Sequence, residues 1–400
     1  MRSERIAVIG AGIIGLSVAR QLGLTRPDVE VSVIDKEIAV GAHQTSHNSG
    51  VVHAGVYYAP DSLKAILCRR GSLLLREYCA EKSIAFNECG KLVVAVNNSE
   101  IGALDRIQDR AEHNQVVGLR RVGSEEIREI EPHAVGITGL HSPRTAITDY
   151  PAVARALADD IIAAGGRLLL GQGVRAISSG PKGVAVLVGE EELIFDRVVI
   201  CAGLQSDKVA KLAGDKAEPE IVPFRGEYYR LVPSKNDLVK GLIYPVPDPN
   251  YPFLGVHFTR RIDGGVDIGP NAVLALAREG YRRGDFSPQD LWETLRWPGF
   301  QKLARKHWKM GLSEMVGSMS KHQFLNRARV YVPELQDSDV VRGGAGVRAQ
   351  AVDRDGTLVE DFRIHPLGNV LAVRNAPSPG ATSSLAIAEY ICDNLSKSEN

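Results

Sequence analysis

The sequence predicts an α/β chain in which a Rossmann-like dinucleotide-binding region is interleaved with a mostly antiparallel β-sheet region. Three observations carry this reading. A glycine turn, Gly10-Ala11-Gly12-Ile13-Ile14-Gly15, joins a short apolar run to an amphipathic stripe. Strand-and-helix patterns return at 149–203 and again at 370–395. Between these, over 219–340, prolines cluster and aromatic residues alternate with polar ones, as in antiparallel strands joined by turns. A length of 400 residues exceeds one ordinary core and suggests about two domains.

Taken in order, Ile6-Ala7-Val8-Ile9 suits a buried parallel strand, and Ile14, Val18, Ala19 and Leu22 mark the following helix. A second strand runs from Val29 to Ile34 and closes at Asp35. Ser62 can cap a helix over 62–80, and Leu92 to Val96 starts a new strand. Asp149 is an N-cap with Pro151 in the first turn, Val153, Leu157 and Ile161 form the stripe, and Gly165-Gly166 ends it. Arg167 to Leu170 reads as a strand, Val184–Val188 with Leu193–Phe195 as a hairpin, and Val198–Cys201 as another buried strand. Helical insertions are expected near 288–307, with Trp292, Trp297 and Phe300 packing into the core. The tail gives a strand at Val370 to Val373, a Pro/Gly loop, and a helix at Ser383–Leu395.

Composition excludes several classes. Lys plus Arg equals Asp plus Glu at 48 each, so no net charge draws the chain to nucleic acid. Five cysteines (Cys68, Cys79, Cys89, Cys201 and Cys392) form no CxxC pair and no zinc-like spacing with histidine, which argues against a disulfide scaffold or a metal site. No run of about 18 apolar residues is present. The first residues lead straight into the glycine motif, so the expectation is a cytoplasmic protein without a cleaved leader.

The glycine turn is specific because of its context. It lies between strand and helix, and Asp35 stands twenty residues beyond Gly15 at the end of the next strand. Gly10, Gly12 and Gly15 let backbone N–H groups and a helix end approach a pyrophosphate, while Asp35 can accept from ribose hydroxyls. An NAD domain is usually one block, whereas here the αβ segments return twice. The loop Asn375–Ser384 enters a helix whose N–H groups suit the negative charge of a reduced flavin, and this favours FAD. The segment 43–58 is dense in small and polar residues, with Asn48 and Ser49 as flavin contacts and His53 and Tyr58 as reactive groups. Histidine is a natural base for a hydroxyl proton because its ordinary pKa of ~6.5 lies near working pH. Arg225, Tyr244, His257, Arg260, Arg261, Arg348 and Gln350 add forks and donors suited to an acidic substrate.

The segments HNSGVVHAGVYY (47–58), CGKLVVAV (89–96), VPFRGEYY (222–229), YPVPDPNYPFLGVHFTRRIDGG (244–265), AGVRAQAVD (345–353) and VRNAPSPGATSSLAIA (373–388) together resemble the FAD-dependent L-2-hydroxyglutarate dehydrogenase/oxidase family, within the D-amino-acid-oxidase-like (GR2) flavoproteins. Two positions depart from the family pattern as read here: Gly380 stands where alanine is expected and Gly344 where proline is. The resemblance implies oxidation of L-2-hydroxyglutarate to 2-oxoglutarate by hydride transfer to FAD. It implies an FAD-binding domain of residues 1–86, 148–218 and 338–400, and a substrate-binding domain of 87–147 and 219–337. The implied catalytic set is His53, His257, Tyr58, Tyr244, Arg261, Arg348 and Gln350, with either histidine as base and the arginines and Gln350 on the two carboxylates. The implied cofactor contacts add Thr45, Gly50, Val174, Ala202, Gly203, Ser378, Gly380, Ala381, Thr382 and Ser383 to Gly10, Gly12, Gly15, Asp35, Asn48 and Ser49. Expected partners are a small dicarboxylate and an electron acceptor, quinone or oxygen. Peripheral contact with the cytoplasmic face of the inner membrane is also expected. The same fold would also serve an amine or amino-acid oxidase or a non-catalytic flavin-binding module.

Overall fold

The apolar run at the start becomes the centre of a sheet because both of its faces are covered. In a computed structural model, which describes residues 3–216, 218–248 and 254–397, Arg5–Ile9 pairs in parallel with Glu30–Ile34 on one side and Arg197–Ile200 on the other. Arg167–Leu169 extends the sheet beyond Glu30–Ile34, while Val370–Asn375 and then Arg363–Leu367 extend it beyond Arg197–Ile200. Successive side chains point to opposite faces. Ile6 and Val8 meet the helices Ile13–Thr25, Tyr150–Ala163 and Ser384–Lys397 through Leu16, Val153, Leu157 and Ile387. Ala7 and Ile9 face the antiparallel meander Val174–Gly180, Gly183–Val188 and Glu191–Phe195 through Ile177, Val184 and Val186. The helix caps match the sequence reading: Ser62 accepts from Ala65 N at 3.2 Å, and Asp149 accepts from Ala152 N at 3.1 Å.

The second sheet runs in the order Val273–Leu274, Glu220–Leu231, Val266–Gly269, His257–Arg260, Leu242–Pro245, Lys91–Ala95, Thr138–Ser142, Arg120–Gly123. All of its pairs are antiparallel except Leu242–Pro245 with Lys91–Ala95. One face buries Leu92, Val94, Tyr229, Phe258 and Ile268 against Phe324 and Leu325 of the helix Lys321–Arg329.

Three differences from the sequence reading have physical causes. Residues from 338 were expected with the FAD-binding domain, but the first sheet is rejoined at Arg363 and Val340–Val352 pairs along Glu220–Leu231. Its small residues permit close approach: a Cβ on Gly346 would lie 2.4 Å from the His47 carbonyl oxygen. The helical insertion is longer than expected, comprising Pro288–Arg296, Pro298–Met319 and Lys321–Arg329. Of its aromatic residues Trp297 is buried and donates Nε1–H to Val352 O at 3.0 Å, but Trp292 is 60% exposed with the Arg296 guanidinium over its ring. Trp292 lies on the outer face of a short helix that needs only one face to pack.

Two buried ion pairs tie the sheets together. Arg278 grips Asp207 with both terminal nitrogens, at 2.5 and 2.8 Å, and Arg374 pairs with Asp215. Removing one partner of such a pair typically costs about 3–5 kcal/mol, because the other charge is left buried. The first pair fixes Leu204 and the following segment at the edge of the cavity described next.

Candidate active site

A cavity of about 600 Å³ runs between the two sheets. One end is built from backbone. Gly10 has a φ of +113°, and a Cβ there would lie 2.3 Å from the Cys201 carbonyl oxygen, so only glycine lets the chain cross here. Gly12 caps the helix Ile13–Thr25 without a side-chain hydrogen bond, leaving first-turn N–H groups directed at the cavity end. Thr45 Oγ1 accepts from Ile13 N at 3.0 Å and fixes the crossing segment 41–48 against that helix. Asp35 accepts from Ala11 N at 2.6 Å and Glu37 N at 2.8 Å, and its carboxylate lines the cavity. The glycine cradle, the helix end and the acid after the second strand suit the pyrophosphate and ribose of a dinucleotide, which fits FAD at this end.

Thr45, Asn48, Ser49, Val174, Ala202, Gly203, Ser378, Gly380, Ala381 and Thr382 line the same cavity. Three expected contacts do not. A Cβ on Gly15 would lie 1.9 Å from Gly10 O, so this glycine serves helix packing. Gly50, at a φ of +73°, turns the chain toward Thr148, whose N–H donates to Gly50 O at 2.9 Å. Ser383 is fully buried behind the loop, with its hydroxyl unpartnered. Proximity in sequence placed them in the set, but their side chains or Cα atoms face the packing side.

The other end is built from side chains of distant segments. His53 and Arg348 line the cavity, together with Tyr228. His53 Nε2 lies 3.4 Å from Ser378 Oγ, and its backbone N–H donates to Thr382 Oγ1 at 3.1 Å. His257 is buried, stacks on Tyr244 with ring centroids 4.1 Å apart, and its Nδ1 lies 2.8 Å from Gly255 O. A carbonyl only accepts, so Nδ1 carries the proton and Nε2 keeps its lone pair. Burial pushes His257 down to about 3 against the opposing Gly255 bond, and Arg348 and Lys91 add to the fall. His53 is held well below the usual range by burial first, then by Lys91, His257, Lys64 and Arg348. Burial raises the tyrosines Tyr58, Tyr228 and Tyr244, which remain O–H donors.

Of the seven expected catalytic residues only His53 and Arg348 line the cavity; Tyr58, Tyr244 and His257 lie close to them without lining it, and Arg261 and Gln350 turn elsewhere. Arg261 donates to Asn48 O at 2.6 Å and sits 3.5 Å from Asp267, so its fork is committed to the crossing segment rather than to the cavity wall. Gln350 donates Nε2–H to Ala351 O at 3.0 Å and does not line the cavity. Conversely, Tyr228 lines the cavity, Lys64 and Lys91 act on His53, and Tyr57 lies against Lys91, none of them having been singled out. Two signals were present. Tyr228 neighbours Tyr229, and on a strand adjacent side chains oppose, so one of the pair had to leave the core. Lys91 opens the otherwise apolar strand Lys91–Ala95, where a charge is costly unless it has work to do.

The polar cluster Glu37, His43 and Glu279 at the rim has the spacing of a metal site, but the Lys36 ammonium sits among its ligand atoms, 2.8 Å from Glu279 and 3.1 Å from His43. No helix among the described residues is long and apolar enough to cross a membrane.

Comparison with known proteins agrees with this geometry. Residues 5–394 match the family described as FAD dependent oxidoreductase. The L-2-hydroxyglutarate dehydrogenase of Indibacter alkaliphilus is 43% identical, over 97% of this chain and 98% of that protein. The human mitochondrial L-2-hydroxyglutarate dehydrogenase is 45% identical, over 98% of this chain and 88% of that protein. Among solved structures, L-alpha-glycerophosphate oxidase from Mycoplasma pneumoniae with FAD bound superposes with a TM-score of 0.78 at 20% identity, covering 97% of this chain and 94% of that one. Glycine oxidase from Geobacillus kaustophilus gives 0.71 at 18% identity, covering 98% and 94%. With a cradle for a dinucleotide at one end and a cationic, histidine-bearing pocket at the other, the chain belongs to the FAD-dependent oxidoreductases, in the family of the L-2-hydroxyglutarate dehydrogenases.

Proposed function

We propose that the protein oxidises L-2-hydroxyglutarate to 2-oxoglutarate with FAD held in the cavity. One observation carries the substrate class: three cations, Lys91, Lys64 and Arg348, act on the half-buried His53 and help to hold it unprotonated. A positive pocket around a neutral base suits a dianionic alcohol. Gly10, Gly12, Asp35 and the loop Ser378–Thr382 would hold the two ends of FAD, which supplies the acceptor for the hydride leaving C(2) of the substrate. Arg348 binds a carboxylate. Tyr58, Tyr228 and Tyr244 donate to substrate oxygens and orient the C(2)–H bond. The hydroxyl proton passes to a histidine, and His257 Nε2 is the better-prepared acceptor because Gly255 fixes its tautomer.

The test is anaerobic single-turnover bleaching of the flavin band by L-2-hydroxyglutarate and by L-glutamate. Fast bleaching by the hydroxy acid alone is the expected result. Preference for L-glutamate would make the protein an amino-acid oxidase, and a yellow protein reduced by neither would make it a binding module. Unchanged reduction in a variant with alanine at both His53 and His257 would sink the base assignment.

The electrons then pass to quinone or oxygen. Trp292 and Trp308, each 60% exposed beside Arg296 and Lys309, give the outer helices a face suited to the cytoplasmic side of an anionic membrane, which favours quinone. Flotation with anionic vesicles, and quinone reduction exceeding oxygen consumption, are the expected results.

A further inference from the structure

We propose that Lys91 and the Tyr57 hydroxyl form the carboxylate subsite that makes this enzyme prefer dianionic over monoanionic 2-hydroxy acids. The inference rests on the reading of the cavity as a site of 2-hydroxy acid oxidation.

Lys91 opens the strand Lys91–Ala95 and points to the same side as Val93 and Ala95, a region otherwise packed with Val56, Leu104 and Leu140. It is 1% exposed. Its ammonium lies 4.7 Å from the Tyr57 ring centroid and 4.8 Å from that of Tyr244. Among the described residues it has neither a hydrogen bond nor an ion pair. The titratable groups that sense it are Tyr57, Tyr244, Cys68, His53 and His257. None is an anion near neutral pH: burial pushes the Cys68 thiol up to about 12 and the Tyr57 hydroxyl well above its usual value.

A cation removed from water without a counter-ion is unfavourable, and ring contacts offset only part of the loss. The pKa of Lys91 accordingly falls to about 8, and burial is the main cause. The Tyr57 ring that Lys91 faces carries a hydroxyl that is buried with no hydrogen-bond partner. Buried polar groups are ordinarily satisfied, so two donors on side chains in contact, both without an acceptor, mark a place that a ligand completes. A carboxylate supplies the charge that Lys91 lacks and the acceptor that Tyr57 lacks. Arg348, on the wall of the wide cavity next to Tyr228, takes the substrate's other carboxylate. One cation per carboxylate separates a five-carbon dianion from its monoanionic analogues.

The experiment measures the dissociation constants of 2-oxoglutarate and 2-oxobutyrate with purified holoenzyme by perturbation of the flavin spectrum, in wild type, Lys91→Met and Tyr57→Phe. The FAD content of each variant is measured alongside. The expected result for Lys91→Met is about 100-fold weaker binding of the dianion, with the monoanion changed less than about threefold. Tyr57→Phe gives about fivefold for the dianion alone. An unchanged dianion-to-monoanion ratio in Lys91→Met overturns the proposal. Should that variant fail to hold FAD, the wild type decides. Dianion affinity falling about tenfold per pH unit above pH 8, with a flat monoanion, supports the subsite, and two flat profiles overturn it. A wild type that L-2-hydroxyglutarate does not reduce sinks the function itself and this subsite with it. A wild type that is reduced but whose Lys91→Met variant keeps its selectivity sinks only the subsite.

Discussion

The two ends of the cavity are made from different material. The dinucleotide end is backbone: Gly10, the helix end at Gly12, and Asp35 held by two N–H groups, all within one strand–turn–helix–strand unit. The reactive end is side chain: Lys91, Tyr228, His257 and Arg348 arrive from four strands of the second sheet, and His53 from the segment after Val51–Val52. A backbone site depends on conformation, so one added atom destroys it. A side-chain site depends on charge and hydrogen bonding, so its losses are graded by role.

The largest effect is therefore expected from one methyl group. Gly10→Ala places a Cβ at 2.3 Å from the Cys201 carbonyl, in a left-handed conformation that L residues avoid. Neither backbone can yield, because Cys201 N donates to Ile9 O at 2.7 Å across the sheet centre. The expected outcome is purified chain with less than a tenth of the normal FAD per mole, read from the visible spectrum, or failure to fold. Normal flavin content in this variant would break the contrast between the two ends.

His257→Ala comes next. Removing a general base typically costs about 10²–10⁴-fold, so single-turnover flavin reduction should fall by that amount while FAD content stays normal. His53→Ala should lose less if His257 is the base, because His53 then contributes through Ser378 and the cofactor loop. The reverse order would hand the role to His53.

The arginines sharpen the comparison further. Arg348→Met should raise KM for L-2-hydroxyglutarate about 10- to 100-fold, since it removes a cation from the cavity wall. Arg261→Met should act on the melting temperature rather than on KM. Its bonds go to Asn48 O and Asp267, and Asp267 keeps Arg230 at 2.9 Å. A tenfold KM increase in Arg261→Met would return it to the substrate, as the family resemblance implies.

This difference in material also explains what could be read from sequence. The glycine turn, Asp35, the caps at Ser62 and Asp149, and the strands of the first sheet are local patterns whose partners lie within a few dozen residues. Arg261 and Gln350 turn away from the cavity wall, and an arginine or glutamine beside a motif carries no information about which way it turns. Arg261 turned to a backbone carbonyl that is distant in sequence. Lys91 and Tyr57 were passed over for the converse reason, since each looks like an ordinary strand or loop residue until the sheet brings them together. Val340–Val352 was not read as a strand because its glycines and alanines form no apolar run, and only the partner Glu220–Leu231 makes it one.

The smallest effect is the one most particular to the buried end. An ordinary histidine base would give kcat/KM an acid limb near pH 6.5, reporting the free enzyme. Here burial pushes His257 down to about 3 and holds His53 well below its usual value too, so with His257 as the base the limb should lie below pH 5. The same shift has a consequence for stability. Between the folded pKa and 6.5 the unfolded chain binds protons that the folded chain refuses, so stability falls as pH drops through that window. The slope approaches about 1.4 kcal/mol per pH unit for each histidine. Thermal melts at pH 5 and pH 7 on wild type and on His257→Gln should therefore differ, the variant losing less on acidification. A wild-type kcat/KM that breaks at pH 6.5, together with equal melting shifts in the two proteins, would mean that water reaches His257 and that the reactive end is not the dry, cation-lined pocket from which its chemistry is argued.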